Sequence, residues 1–141
     1  MPILNVSVSK TVDESLAARI ATDLTNLTHR YLRKDPTVTA VAVIGIDAHH
    51  WYAGGRSLAS QQAASFWLDI KVVDGTNTKQ EMQAYLAAVY AAMSEILPPL
   101  HTESYVLVHE VAAHAYGFGG RTQEFRSVAK ELETAAKLRI S

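Results

Sequence analysis

The sequence predicts an α+β domain: two tandem βαβ units forming one four-stranded mixed sheet, both helices on one face, and an added C-terminal helix. The first observation behind this is a repeat. The pattern His-x-aromatic-x-x-Gly-Gly-Arg occurs at His49 and again at His114, each time after a β-branched run. The second is that strand-like and helix-like periodicity alternate twice in the same order. The third is that the segment after the second repeat, about 122–138, keeps helical spacing but has no counterpart in the first. The whole chain, 1–141, is therefore one domain, with unit 1 at about 2–62 and unit 2 at about 65–121.

In chain order, Leu4, Val6 and Val8 alternate with Ile3, Asn5 and Ser7, the period-two pattern of a half-buried strand. Thr11-Val12-Asp13-Glu14 has the spacing of a helix capping box. Leu16, Ile20, Leu24, Leu27 and Tyr31 follow at helical spacing until Pro36 closes the segment. Val38 to Ile46 suits a buried strand, and Gly54-Gly55 marks a turn. The order then restarts. Phe66 to Val73 is a strand and Asp74-Gly75-Thr76-Asn77 a turn. Thr78 and Glu81 cap a helix carrying Met82, Tyr85, Leu86, Val89, Met93 and Ile96. Pro98-Pro99 ends that helix, and Ser104 to Val111 is the fourth strand. The last helix carries Phe125, Val128, Leu132 and Ala135 as an apolar stripe. With both crossovers right-handed, Leu4, Val6 and Val8 face the helices. Asn5, Ser7, Asp69 and Lys71 fall on an uncovered sheet face that invites self-association.

Composition narrows the function. A net charge of −1 argues against nucleic-acid or membrane-surface binding, which needs clustered cations. The absence of cysteine excludes disulfides, thiolate nucleophiles and cysteine metal sites. No apolar run reaches the ~18 residues of a membrane span. Asn5 and Ser7 interrupt what would be a signal-peptide core, so a cytoplasmic protein is expected.

The chemistry begins at Pro2. If Met1 is removed, its nitrogen becomes a free secondary amine at the start of a strand. An α-amino group titrates near ~8, and burial or a neighbouring cation lowers that value toward the range useful to a general base. Only the first unit can offer such a group, because the second begins in mid-chain at Ser65-Phe66.

Taken together, the Met1-Pro2 start, the tandem βαβ units and the phrases His50-Trp51-Tyr52-Ala53-Gly54-Gly55 and Ala115-Tyr116-Gly117-Phe118-Gly119-Gly120 resemble the tautomerase superfamily over roughly 2–121. This superfamily includes 4-oxalocrotonate tautomerase and macrophage migration inhibitory factor. The resemblance implies a homotrimer with sites at subunit boundaries, no cofactor, and Pro2 shuttling a proton in keto–enol chemistry on a small carboxylate. It implies Lys34 and Lys71 as binders of carboxylate or oxyanion, and Trp51, Tyr105 and Tyr116 as aromatic walls. It also marks departures. The two arginines that grip a dicarboxylate in one branch align with Val12 and Ala40, and with Thr76 and Tyr105 in unit 2. His29-Arg30 is similar to a pair in a dehalogenase branch, which keeps open a hydratase, dehalogenase or decarboxylase with protonated Pro2 and His29 as partner. A non-catalytic oligomeric binding module is the third reading.

Two further phrases are weaker. His109 and His114 are five apart where a helical zinc motif needs four, so no metal is expected. Gly54-Gly55-Arg56 and Gly119-Gly120-Arg121 lack the strand–glycine–helix order of a phosphate loop; Arg56 and Arg121 are left as possible anion contacts.

Overall fold

In chain order the elements are β1 (Ile3–Val8), α1 (Glu14–Leu32), β2 (Ala40–Gly45), a hairpin of β3 (Tyr52–Ala53) and β4 (Arg56–Ser57), and the single turn α2 (Leu58–Gln61). Then come β5 (Phe66–Val73), α3 (Lys79–Ile96), β6 (Tyr105–Val111), a second hairpin of β7 (Gly117–Phe118) and β8 (Arg121–Thr122), and α4 (Gln123–Ile140). They come from a computed structural model that describes residues 1–140. The main sheet runs β2-β1-β5-β6. β1 is parallel to β2, β5 is parallel to β6, and β1 meets β5 antiparallel, so the two βαβ units join through their first strands.

Alternation decides which face is buried. Leu4, Val6, Val8, Phe66, Leu68, Ile70 and Val72 are essentially inaccessible, packed beneath Ile20, Leu24 and Leu32 of α1 and Tyr85, Val89 and Met93 of α3. Asp13 caps α1 by accepting from the Leu16 N–H at 2.8 Å, two residues beyond the cap expected at Thr11; an aspartate serves that role as well as a threonine. The Thr78–Glu81 capping box of α3 forms as expected.

β2 differs from expectation. It starts at Ala40 rather than Val38 because Asp35 caps a short 3-10 turn over Pro36–Val38. It is also an edge strand rather than a buried one: only Val41 and Val43 lean on the core, while Ala40, Ala42 and Ile44 are exposed. Gly54 and Gly55 take left-handed φ of 63° and 77°, which makes the tight turn between β3 and β4.

The face opposite the helices is open. Trp67 and Tyr105 remain 49% and 51% exposed there, and Asp69 accepts from the Trp67 indole at 3.3 Å and pairs with His109 Nε2 at 2.9 Å. α4 touches the body through β8 and the turn Ala113–Ala115. Its apolar stripe points outward, with Phe125 and Val128 half exposed and Leu132 67% exposed. No helix among the described residues is long and apolar enough to cross a membrane.

Candidate active site

Pro2 is buried at the start of β1, and its carbonyl accepts from the Ala40 N–H at 3.2 Å, tying it to the neighbouring strand. The antiparallel pairing of β1 with β5 sets Ile3 beside Lys71, so the end of β5 meets the beginning of β1. The turns that directly follow β5 and β6 are thereby delivered to the Pro2 end of the sheet. The Tyr116 hydroxyl donates to the Met1 carbonyl, the group bonded to the Pro2 nitrogen. Burial holds that hydroxyl above the usual phenol range, against an opposing pull from the Ile3 backbone, so Tyr116 stays neutral and able to donate. Pro2, Val38, Tyr116 and Phe118 enclose a small cavity of about 140 Å³.

Lys34 reaches the same end from unit 1. Arg33 adopts a left-handed φ of 58° as the cap of α1 and turns the chain so that Lys34 Nζ donates to Thr76 Oγ1 at 2.8 Å. The loop is pinned from unit 2 by the Arg33–Glu81 ion pair at 2.7 Å and by Asn77 Nδ2 donating to the Leu32 carbonyl at 2.9 Å. Burial first, and then the Arg33 charge, hold the Lys34 ammonium below its ordinary value, with Glu81 opposing.

The amine of Met1 reports the field at this place. It is held below the ordinary α-amino value by burial and then by Lys34, with Asp35 pulling the other way. Those are the two influences that turn an amine into a base near neutral pH.

A larger cavity of about 410 Å³ lies between Met1 and the first turns of α4, walled by Val73, Thr76, Gln123, Arg126 and Lys130. Gln123 is only 7% exposed, and its Nε2 has no hydrogen-bond partner. The Arg126 guanidinium is anchored, its Nε donating to the Phe118 carbonyl at 3.2 Å and its plane lying 4.3 Å over the Phe118 ring.

Of the residues singled out from the sequence, the fold gathers Pro2, Lys34 and Tyr116. Lys71 sits at the same end of the sheet but on the open face, in register with Ile3 and His109. Tyr105 is on that face at the opposite end, its hydroxyl bonded to Glu103 at 3.1 Å. Trp51 follows the far end of β2, a strand length of ~20 Å from Pro2. His29 is exposed and pairs through Nδ1 with the Lys34 carbonyl at 3.0 Å; it lines neither cavity just described. Arg56 and Arg121 are exposed in the two hairpins, with Arg121 stacked 4.8 Å over Phe125. Gln123, Arg126 and Lys130 were missed. Their spacing places them on the polar side of the last helix, a signal that reads as an ordinary solvated face until the helix is seen folding back on the N-terminus.

Comparison with known proteins bears on the fold. Neither protein-family models nor curated proteins give a sequence match. Solved structures do match in three dimensions. A native fused 4-OT aligns with a TM-score of 0.75 at 21% identity, covering 87% of this chain and 97% of that one. A fused 4-OT described as a symmetric trimer aligns at 0.74 and 14% identity, covering 86% and 96%. A macrophage migration inhibitory factor-like protein from Entamoeba histolytica aligns at 0.71 and 16% identity, covering 86% and 97%. The chain therefore has the fold of these fused 4-OT and macrophage migration inhibitory factor-like structures.

Proposed function

We infer that the chain, once Met1 is removed, is a cofactor-independent tautomerase that interconverts keto and enol forms of a small 2-oxo or enol acid. The observation that carries this is the convergence of Lys34 and Tyr116 on the Pro2 end of β1, where an amine is already held below its ordinary value. As neutral amine, Pro2 takes a proton from the carbon next to the carbonyl. The electron pair left on carbon moves into an enolate, and the proton returns from the Pro2 ammonium to oxygen or to another carbon. Lys34 opposes the negative charge that develops on the enolate oxygen. Tyr116, freed of its Met1 partner, donates a hydrogen bond at the same place. The open sheet face and the trimeric description of one structural neighbour support assembly as a homotrimer, with Trp51, Lys71 and Tyr105 as candidate contributors across subunits. The hydratase or dehalogenase reading needs His29 at the cavity; its exposure and its bond to the Lys34 carbonyl give it no such support.

The test is enolisation of phenylpyruvate by protein whose N-terminus has been checked by mass analysis. Processed protein is expected to turn over the substrate, while Pro2→Ala and a Met1-retaining form lose about a hundredfold or more, the usual weight of a positioned acid–base group. Undiminished turnover in both altered forms would remove Pro2 from the mechanism.

A further inference from the structure

We propose that the cavity between the N-terminus and α4 is a carboxylate subsite, in which the Gln123 side-chain amide donates to the substrate carboxylate and Lys130 supplies the countercharge. This rests on the N-terminal site described above and adds a substrate-binding role for the C-terminal helix, which the repeat does not contain. The amide is the carrying observation. Gln123 is 7% exposed, its buried Nε2 has no partner, and the residue lines a cavity of about 410 Å³ whose wall it shares with Met1, so that removal of Met1 is what opens the amide to a ligand. Buried amide donors are nearly always paired, so an orphan beside a cavity is a place where a ligand oxygen belongs.

The surroundings specify the ligand's charge. Lys130 and Arg126 line the same cavity, and Lys34 stands next to it through its bond to Thr76. Arg126 is committed to the Phe118 carbonyl and ring, so it contributes field rather than a free fork. Lys130 is exposed and close enough to Asp35 to add, after the two Thr37 hydrogen bonds and the His29 charge, to the lowering of that carboxyl below its ordinary value. Gln123 also lies at the N-terminal end of α4, where the helix dipole favours an anion. Its backbone N–H is already used on the Tyr116 carbonyl at 2.8 Å, so the position of the residue is fixed by the same tyrosine that touches Met1. Removal of Met1 enlarges the space in front of this wall. Thr76, the partner of Lys34, and Met1, the neighbour of Pro2, line the same cavity, so a carboxylate held by Gln123 and Lys130 lies on the side of the site where the base is freed.

The experiment separates this site from the base. Benzoylformate, a 2-oxo acid with no enolisable hydrogen, is titrated calorimetrically into processed protein, and phenylpyruvate turnover is measured beside it. Gln123→Met, which keeps the volume and removes the donor, is expected to weaken benzoylformate about tenfold and to raise KM more than it lowers kcat. Gln123→Glu is expected to weaken it further by placing a carboxylate against a carboxylate. Lys130→Gln, an exposed change that leaves packing intact, is expected to weaken binding severalfold and to reduce its salt sensitivity. Wild-type affinity in Gln123→Met or in Lys130→Gln overturns the subsite, as does a wild-type protein that turns over phenylpyruvate without binding benzoylformate. If Gln123→Met fails to fold, Lys130→Gln alone decides. Weakened binding in these variants with turnover undiminished in Pro2→Ala would leave the subsite standing and remove the base.

Discussion

Arg33 and Glu81 form a two-pronged ion pair across the units, Nε to Oε2 at 2.7 Å and the second guanidinium nitrogen to Oε1 at 3.2 Å. The same Glu81 closes the capping box of α3 by accepting from the Thr78 N–H at 2.9 Å. One carboxylate therefore starts α3 and fixes the residue next to Lys34.

The pair makes stability depend on acid. Glu81 is held at about 2 against an ordinary 4.5, first by the Arg33 hydrogen bond and then by the Thr78 backbone. A depressed carboxylate contributes stability that is complete above its unfolded value and is lost as pH falls from there toward about 2. The Arg33 side chain is 67% exposed, so solvent screens the pair, and the effect is small and weakens with salt. Urea midpoints measured from pH 6 down to pH 3 are expected to fall less steeply in Glu81→Gln than in the parent chain. Parallel slopes would mean that the pair contributes nothing to folding.

Lys34 offers a second pH test, with the sign set by charge. Lys34 favours the neutral form of an amine at the N-terminus, as it does for Met1. In the processed chain kcat/KM is expected to rise with pH as Pro2 loses its proton, and then to level. Lys34→Met removes the cation, so the rising limb should move to higher pH, and the plateau should drop by about tenfold or more through loss of enolate stabilisation. An unmoved limb would place Lys34 outside the electrostatic reach of the base.

The elements most legible from sequence are those written by periodicity alone. Leu4, Val6 and Val8 alternate, Phe66 to Val72 alternate, and all of these side chains are buried as that pattern requires. The edge position of β2 was hidden because strand order is a tertiary property, and Val38 to Ile46 is as apolar as a central strand. The Pro2–Tyr116 approach was legible only through the repeat, which told that the second Gly-Gly phrase follows a strand but not that this strand ends beside the first residue. Gln123 carried no signal at all. A glutamine at the head of a polar helix face looks solvated, and its burial comes from the way β8 turns α4 back over Met1.

Thr28 and Tyr85 form a polar pair in the core whose halves are unequal. Thr28 donates to the Leu24 carbonyl at 2.7 Å and has only its acceptor capacity left for the Tyr85 hydroxyl at 2.9 Å, so Tyr85 is the donor. Burial pushes that phenol up to about 12, and it stays neutral throughout ordinary conditions. Tyr85→Phe removes a donor and leaves Thr28 bonded, which is expected to cost about 1 kcal/mol. Thr28→Val keeps the shape but strands a buried hydroxyl, with an expected cost of about 1–3 kcal/mol. Thermal or urea unfolding should rank Thr28→Val below Tyr85→Phe, and the reverse order would show that Tyr85 finds another acceptor.

Gly45 ends β2 where the chain passes under the loop that follows β1. A Cβ built there lies 2.6 Å from the Lys10 carbonyl oxygen and 3.0 Å from the Val12 Cγ2, so backbone rather than a flexible side chain stands in the way. At Gly54 a Cβ meets nothing within 4 Å, and the obstacle is only the left-handed φ of 63°. Both alanine substitutions destabilise, by different physics. Gly54→Ala is expected to cost about 1–2 kcal/mol for holding a side chain in that conformation. Gly45→Ala must displace the segment that leads into α1, so it is expected to cost more than Gly54→Ala in urea or thermal unfolding. Gly45 pairs with Val8, at the end of β2 away from Ala40 and Pro2, so phenylpyruvate turnover measured below the unfolding transition is expected to match the parent in both variants. A smaller loss of stability in Gly45→Ala than in Gly54→Ala would mean that the Lys10–Val12 segment yields to the added methyl.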